Sequence, residues 1–131
     1  MGQIKEYYSG KNILLTGATG LMGKVLMEKI LTDLPEIQRL YVLIRPKKLQ
    51  DGTQLTADSR LWSEILQSSA FQELRLAQKE KFEEWIRSKV EAVPGDLSVE
   101  RLGLDPRTGE RLQNEVDLII NCAAVVSFDA P

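Results

Sequence analysis

Histidine is absent from the 131 residues, and cysteine occurs once, as Cys122. The first absence removes the commonest general base and the commonest metal ligand, so no metal site is expected. The second excludes an intrachain disulfide and fits a reducing compartment. No apolar run approaches the roughly 20 residues needed to span a membrane. The start, "MGQIKEYYSGKN", is too polar for a signal peptide. It carries Glu6 where a myristoylation signal needs Ser or Thr. Excess basic charge is also missing: the net charge is −2, which leaves no nucleic-acid footprint. What remains is 43% apolar and 27% charged residues, the mixture of one globular domain with a real core. The chain stops at "VVSFDAP", directly after an apolar run, and this predicts a piece of a longer domain.

The order of the elements defines a class. "KNILLTG" reads as a buried strand. "LMGKVLMEKILTDL" repeats Leu21, Val25, Leu26, Ile30 and Leu34 at helical spacing and is stopped by Pro35. "LYVLIR" is a second strand, followed by a polar loop, "PKKLQDGTQLT". A helix is expected at "DSRLWSEILQSS", capped by Asp58 or Ser59. Another is expected at "QKEKFEEWIRSK", with Phe82, Trp85 and Ile86 inward. "VEAVPGD" is a third strand, and "SVERLGLDPRTGERLQNE" is a loop with one or two helical turns. "VDLIINCAAVV" is a fourth strand, so apolar that a central place is expected. The alternation predicts an α/β fold: a doubly wound parallel sheet, a Rossmann-like three-layer αβα, incomplete at its C-terminal side. Residues 1–131 are read as the N-terminal part of one such domain, with about 46–90 a helical insertion rather than a second domain.

"TGATGLMG" carries the chemistry. A strand that enters a glycine loop and leaves as a helix presents backbone N–H groups that bind phosphate. Gly17 permits the tight turn, Gly20 lets the backbone approach a pyrophosphate, and Gly23 allows close packing. The spacing is G-x-x-G-x-x-G rather than G-x-G-x-x-G. It is not a Walker loop, because Val25 stands where the magnesium-binding hydroxyl belongs.

The second strand selects the cofactor. An acid at its tip would hold the ribose 2′-hydroxyl of NAD, but here the tip reads "IRPKK". Arg45 can pair a 2′-phosphate in a bidentate way, so NADP is expected over NAD. A solvated basic loop is the plainer alternative for Arg45, Lys47 and Lys48. Asp96, in "GDL", can accept from an adenine amino group while Leu97 covers the ring. A turn-forming Asp explains it equally well. Cys122 fits a small buried hydrophobe better than a nucleophile.

Together "TGATGLMGK", "YVLIRPK", "VPGDL" and "NCAAVVSFD" resemble the extended short-chain dehydrogenase/reductases. "YYSGKNILLTGATGLMGKVLMEKIL" with "LYVLIRPKK" and "AAVVSFD" resembles, more narrowly, the reductase domain of eukaryotic fatty acyl-CoA reductases. The resemblance covers nearly the whole chain. It implies reduction of a long-chain acyl-CoA to a primary alcohol by NADPH, in two hydride transfers through an aldehyde. It maps cofactor contacts to Gly17, Thr19, Gly20, Leu21, Met22 and Gly23. It maps the 2′-phosphate to Arg45 with Lys48 as helper, the adenine to Asp96 and Leu97, and the nicotinamide ribose to Ala123, Ala124 and Val125. It further implies association with peroxisomal or endoplasmic-reticulum membranes. An extended reductase of sugar nucleotides or another carbonyl, and a NADP-binding sensor without catalysis, remain alternatives.

The superfamily's catalytic Tyr and Lys, with three residues between them, are expected on a helix beyond this chain. Tyr7 and Lys11 match the spacing, yet they precede the first strand. Lys11 sits on the order of 16 Å from the glycine loop along that strand. No catalytic residue is therefore assigned, and the 131-residue chain is expected to be inactive. An unpaired fourth strand is expected to self-associate through 117–126.

Overall fold

The computed structural model describes residues 2–122. Helix α1, Gly2–Tyr8, leads into strand β1, Asn12–Thr16, and helix α2, Leu21–Asp33. Strand β2, Arg39–Ile44, is followed by a small hairpin of β3, Lys47–Lys48, and β4, Gln54–Leu55. Helix α3, Ala57–Arg60, widens into a π-turn over Leu61–Ile65. Helices α4, Gln72–Gln78, and α5, Phe82–Lys89, complete the crossover to strand β5, Val90–Pro94. Helix α6, Pro106–Glu115, then leads to strand β6, Leu118–Asn121.

Four parallel strands form the sheet, in the order β5-β2-β1-β6. The chain first winds outward from β1 through β2 to β5, then returns to pair β6 on the other side of β1. The winding therefore reverses between β1 and β6, the place where doubly wound sheets open a crevice at their C-terminal ends.

Alternation along the strands loads both faces. Ile13, Leu15, Leu40, Val42 and Ile44 face the larger core, with Met27, Ile30 and Leu31 from α2. Ala57, Leu61, Ile65, Leu66, Phe71, Phe82 and Ile86 belong to that same core, so the segment between β2 and β5 is built onto the sheet. Leu14, Tyr41, Leu43 and Val93 face the opposite side, where Leu112 of α6 covers them. A strand buried on both faces must be apolar throughout, which is why "NILLT" and "RLYVLI" show no polar alternation.

Among the described residues β6 takes the unpaired edge of the sheet: its burial alternates, and Ile119 is 66% exposed. Of its three apolar side chains, Leu118 and Ile120 are half-buried and Ile119 alone is exposed. Other expectations change. The cap of α3 is Thr56, not Asp58 or Ser59: its hydroxyl accepts from Ser59 N at 3.0 Å. The polar loop contains the β3–β4 hairpin. The helix expected across "QKEKFEEWIRSK" is broken, because Lys79 turns to φ 52° between α4 and α5. Helix α6 runs for ten residues, where one or two turns were expected. Asp105 explains it: the carboxylate accepts from Thr108 N at 2.9 Å, and Pro106 supplies a first turn that needs no N–H.

Candidate functional site: a nucleotide cradle at the strand tips

β1 ends in Thr16, which is 2% exposed and donates its hydroxyl to Asn121 Oδ1 at 2.8 Å. The bond locks the tips of β1 and β6 together on the two sides of the switch point. Gly17 then turns the chain with φ +83°, a left-handed conformation that a side chain resists. Gly20 N donates back to Gly17 O at 3.2 Å, and the chain enters α2 with Gly20 as its cap.

No side chain caps this helix, and no acid lies in its first turn. The first helical bond is Lys24 N to Gly20 O, at 3.0 Å. The amides of Leu21, Met22 and Gly23 therefore precede the ladder and carry the positive end of the helix dipole. Thr19, Gly20, Leu21 and Met22 are all exposed there. Gly23 is buried, and its role is sharper than expected. A Cβ on Gly23 would lie 1.9 Å from Gly17 O and 2.7 Å from Ala18 Cα, so it packs on the loop backbone itself.

The sheet order sets the other candidates beside this loop. Arg45 follows the last residue of β2 and is exposed; among the described residues it makes no ion pair. Asp96 follows β5 by two residues. Its Oδ1 accepts from Ser98 N at 2.9 Å and from Ser98 Oγ at 2.7 Å. These bonds, helped by the charge of Arg45, hold its carboxyl below the usual carboxylate range. Asp96 thus has the turn-forming geometry, and one oxygen is already engaged. Leu97 is 42% exposed beside it. Lys48 pairs with Gln54 in the hairpin and is exposed. Its neighbour Lys47 lies on the opposite side of the strand, with its charge acting on Glu64. Ala123, Ala124 and Val125 lie outside the described residues.

Two supports of the site gave no clear sign in the sequence. Arg101, Leu102 and Gly103 form a left-handed turn, with φ 55°, 60° and 63°. Non-glycine residues there cost on the order of 1–3 kcal/mol each. The turn delivers Leu102 O to Asp96 N at 2.6 Å and presses on Gly95, whose Cβ would meet Leu102 O at 2.7 Å. Gly103 was its only visible trace. The second support is the pair Arg60 and Glu64. The Arg60 guanidinium donates to Arg45 O at 2.5 Å, and to Glu64 at 2.7 and 2.9 Å. An Arg–Glu pair at i,i+4 is so common on helices that nothing marked this one.

Tyr7 and Lys11 lie at the opposite end of β1. Gly10 N donates to Glu36 O at 2.8 Å, in the turn after α2, and Lys11 Nζ sits 5.2 Å above the Tyr7 ring. They close the bottom of the sheet, away from the cradle. Among the described residues no group of His, Cys, Asp and Glu could hold a metal ion.

Comparison with known proteins agrees with this geometry. Residues 15–131 match the NAD-binding family model described as male sterility protein. Fatty acyl-CoA reductase 1 of Gallus gallus is 40% identical over 129 residues, which is 98% of this chain and 23% of that protein. The alcohol-forming fatty acyl-CoA reductase of Simmondsia chinensis is 36% identical over 98% of this chain and 25% of its own length. The chain thus spans about a quarter of the curated relatives it matches. Among solved structures, the reductase (R) domain of a non-ribosomal peptide synthetase from Mycobacterium tuberculosis superposes with a TM-score of 0.64. It is 33% identical, over 88% of this chain and 24% of that one. The terminal R domain of the myxalamid pathway gives 0.63 at 29% identity, over 94% of this chain and 27% of that one. With the glycine cradle, the switch point and the strand order all in place, the chain belongs to the NAD-binding family described as male sterility protein.

Proposed function

We propose that this chain supplies the cofactor-binding part of an NADPH-dependent reductase that converts long-chain fatty acyl-CoA to a primary alcohol. The observation that carries the cofactor half is the juxtaposition of three strand tips. β5, β2 and β1 are neighbours, so Asp96, Arg45 and the Gly17–Gly23 loop form one row. A dinucleotide laid along that row puts its adenine at Asp96 and Leu97, its ribose at Arg45 and its pyrophosphate on the bare amides of α2. Arg45 favours a 2′-phosphate there because the strand tip offers a cation where a site for the free 2′-hydroxyl would hold an acid. The substrate half rests on the likeness to the fatty acyl-CoA reductases.

A dinucleotide bound this way would extend its nicotinamide end toward the β1–β6 switch point, whose strand tips Thr16 and Asn121 tie together, and would supply the hydride there. This chain's residues bind and orient the cofactor. The proton donor for the developing alkoxide lies in other residues. The same reading carries an expectation of peroxisomal or endoplasmic-reticulum membrane association. No helix among the described residues is long and apolar enough to cross a membrane, and fractionation of cells expressing the full-length protein tests the point.

The deciding experiment compares NADPH and NADH binding by calorimetry in the full-length protein and in Arg45→Ala. NADPH is expected to bind more tightly. Arg45→Ala is expected to cost about tenfold to a hundredfold in NADPH affinity, the loss of a charged hydrogen-bond pair, and to leave NADH unchanged. Equal binding of the two cofactors by the unaltered protein overturns the assignment.

A further inference from the structure

We propose that Arg60 and Glu64 are positioning residues for NADP selectivity: they hold the backbone of Arg45 so that its side chain meets the 2′-phosphate. This rests on the reading of Arg45 given above.

The β2 tip is restrained at three successive points. Ile44 O accepts from Gly95 N at 3.2 Å, which fixes the last strand residue from β5. Arg45 O accepts from Arg60 Nη1 at 2.5 Å. Pro46 follows and confines the backbone of Arg45 to extended conformations. Arg60 comes from α3, beyond the hairpin and 15 residues on, so its bond closes the loop that would otherwise let the tip swing.

Arg60 is itself held in place. Its Nε and Nη2 donate to the two carboxylate oxygens of Glu64 at 2.7 and 2.9 Å. Its side chain is only 11% exposed, against 35% for Glu64. Such a two-pronged pair has one geometry, which leaves Nη1 aimed at Arg45 O. Hydrogen bonding from Arg60, with the charges of Lys47 and Lys24, holds the Glu64 carboxyl below the usual range. Glu64 therefore stays ionised and keeps Arg60 committed.

The alternative is that Arg60 is one more cation for the phosphate. The two roles differ in sign at Glu64. If only charge mattered, removing the Glu64 carboxylate would free Arg60 and strengthen NADPH binding. If Arg60 positions Arg45, removing Glu64 loosens the prop and weakens NADPH binding while NADH is untouched.

The test measures NADPH and NADH affinities in the full-length protein for Arg60→Gln, Arg60→Lys and Glu64→Ala, each with Arg45 and with Arg45→Ala. Arg60→Gln and Glu64→Ala are each expected to lower the NADPH-to-NADH preference by about tenfold, one charge-assisted hydrogen bond. Both effects should vanish in the Arg45→Ala background. Arg60→Lys retains one donor and should keep part of the preference. A Glu64→Ala variant with stronger NADPH preference overturns the proposal, as does an Arg60→Gln effect that persists without Arg45. Equal loss of both cofactors in a folded variant also overturns it, because that marks a general structural role. Should Arg60→Gln fail to fold, Glu64→Ala decides alone. If Arg45→Ala itself leaves the preference intact, the 2′-phosphate assignment falls and this inference with it. If Arg45→Ala abolishes the preference while Glu64→Ala does nothing, only this inference falls.

Discussion

A side-chain carbon on Gly23 would sit 1.9 Å from the carbonyl oxygen of Gly17, whereas one on Gly20 would sit 3.6 Å from the same atom. Two glycines of one loop therefore serve different ends. Gly23→Ala must displace the loop backbone, and a loss of stability on the order of 1–3 kcal/mol is expected. Gly20→Ala fits without collision and should change stability by no more than about 1 kcal/mol. It should still weaken dinucleotide binding by about tenfold, since the methyl group occupies the face left open for pyrophosphate. Thermal unfolding and calorimetry on both variants separate the cases. Equal unfolding midpoints for the two would contradict the packing role of Gly23.

Tyr41 gives a pH signature. Burial, then its 2.5 Å hydrogen bond to Glu115, pushes its phenol from 10.0 up to about 12. The folded state holds this proton more tightly than the unfolded chain. Its stabilising contribution is thus complete below about pH 10 and is lost as pH rises toward about 12. Tyr41→Phe should unfold less steeply over that window, as followed by circular dichroism. The same residue anchors α6: Arg111 lies 5.8 Å over its ring and forks onto Glu91 of β5. Identical alkaline profiles for the two proteins would remove Tyr41 from the explanation.

Association through β6 is a third outcome. Among the described residues no further strand lies beyond β6 in the sheet, and Ile119 is 66% exposed. Such an edge is a template for another strand. Light scattering of the 131-residue chain should show dimers or larger species, and Ile119→Lys should reduce them. A monodisperse monomer would refute this.

Turnover is the fourth. Tyr7 and Lys11 sit at the bottom of β1, joined to each other rather than to the cradle. The 131-residue chain is therefore expected to leave NADPH unoxidised when given a long-chain acyl-CoA. Absorbance at the nicotinamide band measures this, and Tyr7→Phe in the full-length protein should retain activity. Oxidation by the short chain would mean that catalysis lies within it.

Local order alone specified much of this protein. "NILLTGATGLMGKV" contains its strand, turn and helix in one stretch, because a left-handed turn needs Gly17 and a close approach needs Gly23 wherever the chain goes next. The strand-tip position of Arg45 was legible for the same reason. The Thr16–Asn121 lock, the left-handed turn under Asp96 and the Arg60 prop were not legible. Each depends on which distant segments the sheet order makes neighbours. Residues 105 positions apart meet at Thr16 and Asn121, and 15 apart at Arg45 and Arg60. Composition and periodicity report a residue's own surroundings along the chain. Only tertiary packing decides which carbonyl a guanidinium finds.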